Sequence, residues 1–279
     1  MATCLPDAGT EAGAEVPFAG LEAAYDSVSR RHLVRTGVGP GWHCWEVGAG
    51  GGSVAGWLAD RVGPTGSVLA TDIDPSLMPP DPRPNLSVVR HDLVVDPLPT
   101  GSFRGIHVRL VLGHLPDRGD LLARLASALV PGGWLVVEDL ELVLPPCPEG
   151  ATPDQRLVHG VRSGFSELLR ELREDGDWAR GLPRRLRRLG LVDVAASAHV
   201  APVSGGSIVA SVERAHLAGV GDELVNFGVV TQAGLDRCLQ LLDDPAFRFT
   251  MPPMVSARGR RRPPPCSLRD LQQPMLEIA

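Results

Sequence analysis

The residues best suited to chemistry fall in three short stretches. The first is Trp45-Glu46-Val47-Gly48-Ala49-Gly50-Gly51-Gly52. An apolar run ends at Val47 and glycines crowd the turn that follows. Ser53 then opens a pattern with Val54, Trp57, Leu58 and Val62 at helical spacing. This order reads as strand, glycine turn, helix N-terminus. Glycine admits positive φ and lets a ligand approach bare main chain, and the first helical turn carries unpaired N–H groups. A turn of this kind also serves as a plain tight connection. The second stretch is Ser67-Val68-Leu69-Ala70-Thr71, a strand that ends in Asp72-Ile73-Asp74. In an open parallel sheet the carboxyl end of strand two faces the crevice beside the first turn, where a carboxylate can accept both hydroxyls of a ribose. Asp72 suits that role, whereas Asp74, before Pro75, suits a turn or a helix cap. The third stretch runs from Arg109 to Leu115 and holds His114. Imidazole titrates near pH 6.5 and can take a proton at neutral pH, so His114 is a candidate base; a structural histidine is the alternative.

Five segments taken together carry a resemblance: Glu46 to Gly52, Ala70 to Asp74, Arg90-His91-Asp92-Leu93, His107 to Leu112, and Pro131-Gly132-Gly133. They resemble the class I S-adenosylmethionine-dependent methyltransferases, most closely small-molecule enzymes of actinobacteria, over the span from Tyr25 to Asp139. The resemblance implies S-adenosyl-L-methionine as cofactor. It implies contacts from Glu46, Gly48, Ala49, Gly50, Asp72, Ile73, His91, Asp92, Leu93 and Arg109. Asp92 is expected to hold the adenine amino group, and the Leu93 N–H a ring nitrogen. Tyr25, on a helix expected to cover the cofactor, either touches it or is a half-buried core ring. The strand-four exit is expected to hold the methyl group and its acceptor. The family commonly has Phe-Asp before strand four; here Phe103 is followed by Arg104 and Gly105, which puts the sheet edge in question.

The activity implied is in-line transfer of a methyl group to an oxygen, nitrogen or carbon of a small molecule, expected from secondary metabolism. No carboxylate is placed by sequence alone to orient His114, so proximity is expected to carry the reaction without a base. Two rivals stay open: a repurposed fold running a non-methylating cyclisation or isomerisation, and a nicotinamide oxidoreductase.

Composition narrows the field. Net charge is −6 and the 27 basic residues are all arginine. An acidic chain does not recruit nucleic acid or an anionic membrane by charge. Without lysine there is no Schiff-base lysine, P-loop lysine or Tyr-x-x-x-Lys. Cys4, Cys44, Cys147, Cys238 and Cys266 are scattered, with no metal-ligand spacing, and fit reduced thiols in a cytoplasm. The first residues show no leader pattern, and no apolar run approaches the roughly 20 residues of a membrane span. Either a monomer or a homodimer is compatible.

The elements that must position these residues follow from periodicity. The expected fold class is α/β, a Rossmann-like doubly wound, mostly parallel seven-stranded sheet with a helical cover. The chain divides into a disordered tail (1–17), a cover helix (18–36), a cofactor-binding core (37–144), a helical lid with the remaining strands (145–259) and a C-terminal tail (260–279). Core strands are expected at His43–Val47, Ser67–Thr71, Leu86–Arg90, Ile106–Leu110 and Trp134–Val137, with helices from Ser53 and over Asp120–Val130. Glu138 and Asp139 are expected to face the crevice or solvent. Beyond the proline break at Pro145–Pro153, helices are expected over Asp154–Trp178, Leu182–Leu189, Gly206–Leu224 and Thr231–Leu242, and strands over Leu191–Val200 and Phe247–Ala257, the last antiparallel. The arginines at 184, 185, 187 and 188 are read as a solvated face.

Overall fold

The computed structural model describes residues 15–98, 103–172 and 177–263. In chain order the elements are α1 (Glu15–Val34), β1 (His43–Val47), α2 (Ser53–Val62), β2 (Ser67–Asp72), β3 (Leu86–Arg90), β4 (Phe103–Arg109), α3 (Arg118–Ser127), β5 (Leu129–Leu140), α4 (Pro153–Leu172), α5 (Trp178–Arg188), β6 (Val192–His199), β7 (Pro202–Ser204), α6 (Ile208–Gly219), α7 (Gly221–Asn226), α8 (Gln232–Asp243), β8 (Arg248–Thr250) and β9 (Met254–Arg260). Short 3-10 turns lie at Pro75–Leu77 and Leu112–His114. A seven-stranded sheet has the order β3-β2-β1-β4-β5-β9-β6; β9 runs antiparallel to both β5 and β6, and the other pairs are parallel. This is the expected fold class. No helix among the described residues is long and apolar enough to cross a membrane.

Several boundaries differ from the sequence reading. β5 begins at Leu129, ahead of Pro131-Gly132-Gly133, because Gly132 and Gly133 pair with Arg261 through main-chain bonds of 2.9 and 2.8 Å. The helix before it accordingly stops at Ser127. Of the long helix expected to reach Trp178, α4 covers Pro153–Leu172, residues 173–176 lie outside the described residues, and Trp178 opens α5. The segment Gly206–Leu224 breaks at Val220 into α6 and α7. The single last strand is two: β8 pairs with β7 in a separate ribbon, and β9 inserts into the main sheet. The missing acid after Phe103 leaves the sheet intact. β4 is a central strand with a bulge between Phe103 and Gly105, and Arg104 stacks over the Trp42 ring at 4.9 Å. Of the proposed tails, Glu15–Val34 is helical, and residues 1–14 and 264–279 lie outside the described residues. Arg184 and Arg185 pair with Asp177, and Arg185 also covers Trp178, while Arg187 and Arg188 are exposed.

Alternation along the strands sorts the core into two layers. Trp45, Ile106, Val108, Leu135 and Val137 point to the α3/α5 layer. Cys44, Val68, Ala70 and Val136 point to the layer of α2 and the end of α1. On this second face three buried polar residues come together from adjacent strands: Glu46 (β1), His107 (β4) and Glu138 (β5). His107 Nδ1 lies 2.8 Å from both Glu46 carboxylate oxygens, and its Nε2 lies 3.2 Å from Glu138 Oε2. Ser29 of α1 donates to the same Glu138 oxygen. Burial opposes charge on the imidazole, but the two carboxylates outweigh it and raise the His107 pKa to about 9. Burial alone would likewise raise Glu138, yet hydrogen bonding and charge from His107 draw it down to about 2.

The pH consequence follows from the signs. His107 has a raised folded pKa, so its contribution is complete below its ordinary value of about 6.5 and is lost as pH rises through about 9. Glu138 is depressed, so its contribution is complete above its ordinary value and is lost as pH falls toward about 2. Thermal transitions should therefore be highest near pH 5–6 and decline steadily from about 6.5 to about 9. His107→Gln, which leaves two buried carboxylates facing a neutral amide, should lower the transition by roughly 10 °C near pH 6. It should also flatten the decline above that pH; an unchanged slope in calorimetric scans of the variant would contradict this assignment.

Candidate active site

The glycine turn is built against β2 and roofed by α1. Gly48 and Ala49 both donate to the Thr71 carbonyl, at 2.8 and 3.0 Å. Gly50 adopts φ 52° and its N–H donates to Asp72 Oδ2 at 2.8 Å. The second Asp72 oxygen accepts from the Asp74 N–H at 3.1 Å. Asp72 is thus pinned at the end of β2 against the turn, half-exposed, with lone pairs still available on both oxygens. Asp74 caps the 3-10 turn at Pro75 by accepting from the Ser76 N–H at 3.1 Å, the cap role read from its place before proline. Ile73 between them is 59% exposed, an apolar side chain standing in solvent beside a carboxylate.

Successive turns of α1 present Phe18, Glu22 and Asp26 to this turn. A Cβ on Gly50 would lie 2.7 Å from the Phe18 ring, and one on Gly51 2.6 Å from Glu22 Oε1. Asp26 accepts from Ser53 Oγ and from Arg109 Nη1, each at 3.0 Å. The bare backbone expected at Gly50 is therefore covered by Phe18, and the accessible part of the crevice is the Ala49, Asp72 and Ile73 side.

The other expected contacts are dispersed. Glu46 is turned to His107 in the sheet interior. Arg109 donates to Asp26 and to Ser29 Oγ at 3.0 Å, which fastens α1 over the sheet. Tyr25, three residues after Glu22 on α1, is fully buried with Val28, Ala201, Val203 and Met254 on the flank beside that face. At the end of β3, the Asp92 side chain accepts from the Val94 N–H at 2.8 Å and its N–H donates to Asp96 at 2.8 Å. Leu93 packs in the core. His91 meets Trp45 edge-on at 5.8 Å and faces the Pro97 carbonyl at 3.2 Å.

The strand-four exit is where the structure adds most. Leu110 holds φ 57°, a strained value for a side chain of its size, and its N–H bonds the Glu138 carbonyl at 2.9 Å. The 3-10 turn Leu112–His114 follows and leaves His114 exposed. Because β5 runs parallel beside β4, its carboxyl end brings Asp139 behind that turn. Asp139 is buried and accepts from the Gly113 N–H at 2.7 Å and from Trp178 Nε1 at 2.9 Å. Burial lifts its carboxyl above the ordinary carboxylate range, while the Trp178 hydrogen bond and the charge of His114 pull the other way. A carboxylate thus stands beside the His114 turn, a placement that the sequence alone does not give. Glu138 and Asp139 are neither solvated nor both in the crevice; alternation sends one to each face of the sheet.

The chain also matches the family model described as "Methyltransferase domain" over residues 41–215. It belongs to the methyltransferase-domain family. Methyltransferase str2 of Strobilurus tenacellus is 32% identical over 169 residues, covering 58% of each chain. The C-methyltransferase UbiE of ubiquinone and menaquinone biosynthesis from Bordetella parapertussis is 30% identical over 118 residues, covering 40% of this chain and 46% of its own. The chain thus spans about half the length of the curated relatives it matches. These relatives are not actinobacterial. The fold is shared with a Haemonchus contortus phosphoethanolamine N-methyltransferase 2 in complex with S-adenosyl-L-methionine, at TM-score 0.55 and 15% identity over 91% of this chain and 58% of the other. It is shared too with a cyclopropane-fatty-acyl-phospholipid synthase-like protein from Lactobacillus casei, at TM-score 0.52 and 16% identity over 90% and 94%.

The crevice geometry separates Asp72 from Asp74. A charge-assisted hydrogen bond is worth about 1.5–3 kcal/mol, so Asp72→Ala should weaken S-adenosylhomocysteine binding by about 10- to 100-fold. Asp74→Ala, which loses only a cap, should change it by less than about threefold. Calorimetric titration reads both, and a larger loss at Asp74 would reverse the assignment. Gly50→Val does not discriminate, because its side chain would strike Phe18 as well as a ligand.

Proposed function

We propose that this chain moves the methyl group of S-adenosyl-L-methionine to a small-molecule acceptor whose reacting atom loses its proton to His114. The reaction class and the cofactor follow from family membership. The acceptor and the base are the proposal, and the placement of Asp139 behind His114 supports them most.

The residues at the crevice fit the cofactor. Asp72 offers free lone pairs toward a ribose, Ile73 offers exposed apolar surface to a ring, and Gly48 and Ala49 offer half-buried main chain. Asp92 at the next strand end is the candidate for the adenine amino group. When bound, the cofactor supplies a methyl group on a sulfonium, already activated for displacement. The protein's share is to hold the nucleophile in line, exclude water and take a proton where the acceptor must lose one. Arg109, through Asp26 and Ser29, keeps α1 closed over the crevice. Asp139, fixed by Gly113 and Trp178, steadies the His114 turn. Within this reading residues 37–144 hold the cofactor and 145–259 form the lid and the last strands. The names of the relatives point to small-molecule acceptors; secondary metabolism, a cytoplasmic setting and a monomer or homodimer without nucleic-acid or membrane partners complete the proposal.

A positioned base contributes roughly 10²- to 10⁴-fold to rate. His114→Ala should lower turnover by that order at saturating cofactor, with S-adenosylhomocysteine affinity held within about threefold. Asp139→Asn should lose part of the same factor, and raising the pH should restore part of the His114→Ala loss. Release of S-adenosylhomocysteine with a screened acceptor measures this; a His114→Ala loss of only a few-fold would place the chemistry on proximity alone.

A further inference from the structure

Where α1 packs against α6 lies a polar cluster that the reaction above does not use. Arg162 of α4 and Glu213 of α6 form a buried ion pair, Nε to Oε1, at 2.7 Å. Arg162 Nη1 donates to the Thr250 carbonyl at 2.7 Å, and the guanidinium lies over the Phe249 ring at 5.7 Å. Its Nη2 has no partner among the described residues. The Tyr25 hydroxyl, on a side chain with 0% exposure, has none either. Burial first, and then the negative charge of Glu213, push the phenol well above its ordinary pKa, so it remains a donor; Arg162 and Arg109 act against that rise. The surroundings are apolar, with Val28, Val203 and Met254 in the same cluster. Leu110, the strained residue of the strand-four exit, packs against that cluster too.

A buried donor left without a partner is costly, about 1–3 kcal/mol. Two of them, a phenol and a guanidinium N–H, sit among apolar side chains that reach the loop holding His114. Glu213 and the Thr250 carbonyl are already committed to Arg162; of the groups left over, Nη2 can only donate, and the phenol carries a proton to donate although its oxygen can also accept. They suit an oxygen with lone pairs, which can pair both; an ammonium would leave the Nη2 hydrogens unpaired and add a second cation beside Arg162. Because Nε and Nη1 are both engaged, neither edge of the guanidinium is free for the two-toothed grip of a carboxylate, and the Nη2 hydrogens and the phenol O–H are left for a neutral oxygen.

We propose that Tyr25 and Arg162 form the acceptor subsite, binding one carbonyl-type oxygen of an otherwise apolar molecule while the reacting atom of that molecule lies toward His114. The proposal rests on the methyltransferase reading and names the class of its acceptor: an apolar ketone, ester, amide or enol, not an amine. It makes Tyr25 a specificity residue and not a cofactor contact.

The test uses the full chain saturated with S-adenosylhomocysteine and three probes of one shape: 2-acetylnaphthalene, 2-ethylnaphthalene and 1-(2-naphthyl)ethylamine. Calorimetry should show the ketone binding at least tenfold more tightly than the hydrocarbon or the amine. Tyr25→Phe, which removes one oxygen and keeps the ring, should abolish most of that preference. Arg162→Lys, which keeps a charge against Glu213 but loses the fork, should reduce it as well. Both variants should bind S-adenosylhomocysteine as the parent does. Amine binding equal to or tighter than ketone binding, a ketone preference unchanged in both variants, or no ketone binding to the loaded protein overturns the subsite alone. Failure of the parent to bind S-adenosylhomocysteine at all overturns the methyltransferase reading, and the subsite with it.

Discussion

A histidine with no exposed surface, held between two glutamates, is the constraint on which the site depends. His107 cannot be neutral and idle in that place, because both carboxylates need a compensating charge and, among the described residues, it is the one that reaches both. Removing one member of such a group is far costlier than the group is stabilising in itself. The arrangement binds β1, β4 and β5 on the face that α1 covers, and Ser29 extends it into α1. Arg109, two residues along the same face of β4, reaches Asp26 on the same helix. The helix that roofs the glycine turn is therefore anchored by charge to the strands whose ends carry the site.

This anchoring explains the division of labour along α1. Phe18, Glu22 and Asp26 look toward the glycine turn and α2, whereas Tyr25 and Val28 look toward α6 and the β7/β8 ribbon. One helix thus forms a wall of the crevice and a wall of the lid. The strained Leu110 lies at the junction, tied by its N–H to β5 and by its side chain to the lid cluster. Strain of this kind persists where the surroundings over-determine it, commonly at functional sites.

Much of the crevice was legible from local pattern. The strand, glycine turn and helix around Gly48–Gly52 are read correctly because each depends on neighbours in sequence, and so is the capping place of Asp74 before Pro75. The partners of His107 were not legible, since Glu46 and Glu138 come from strands adjacent only in the folded sheet. A hint existed: His107 and Arg109 alternate with Ile106 and Val108, so strand four has one polar face. The place of Asp139 against the His114 turn was not legible for the same reason, compounded by reading Trp178 as the end of one helix when it is the start of the next. The Pro131-Gly132-Gly133 segment, taken as a turn, joins β5 because Arg261, far along the chain, supplies its main-chain partners.

The central claim is that the bound cofactor gives up its methyl group to a small molecule. The most direct measurement incubates the protein with S-adenosyl-L-methionine carrying a trideuteriomethyl group and a mixture of apolar metabolites, and follows product masses. The account predicts a product that has exchanged one hydrogen for the labelled methyl group, formed in step with S-adenosylhomocysteine. A product formed with unchanged mass, or one that gains no label while the cofactor stays intact, would contradict it.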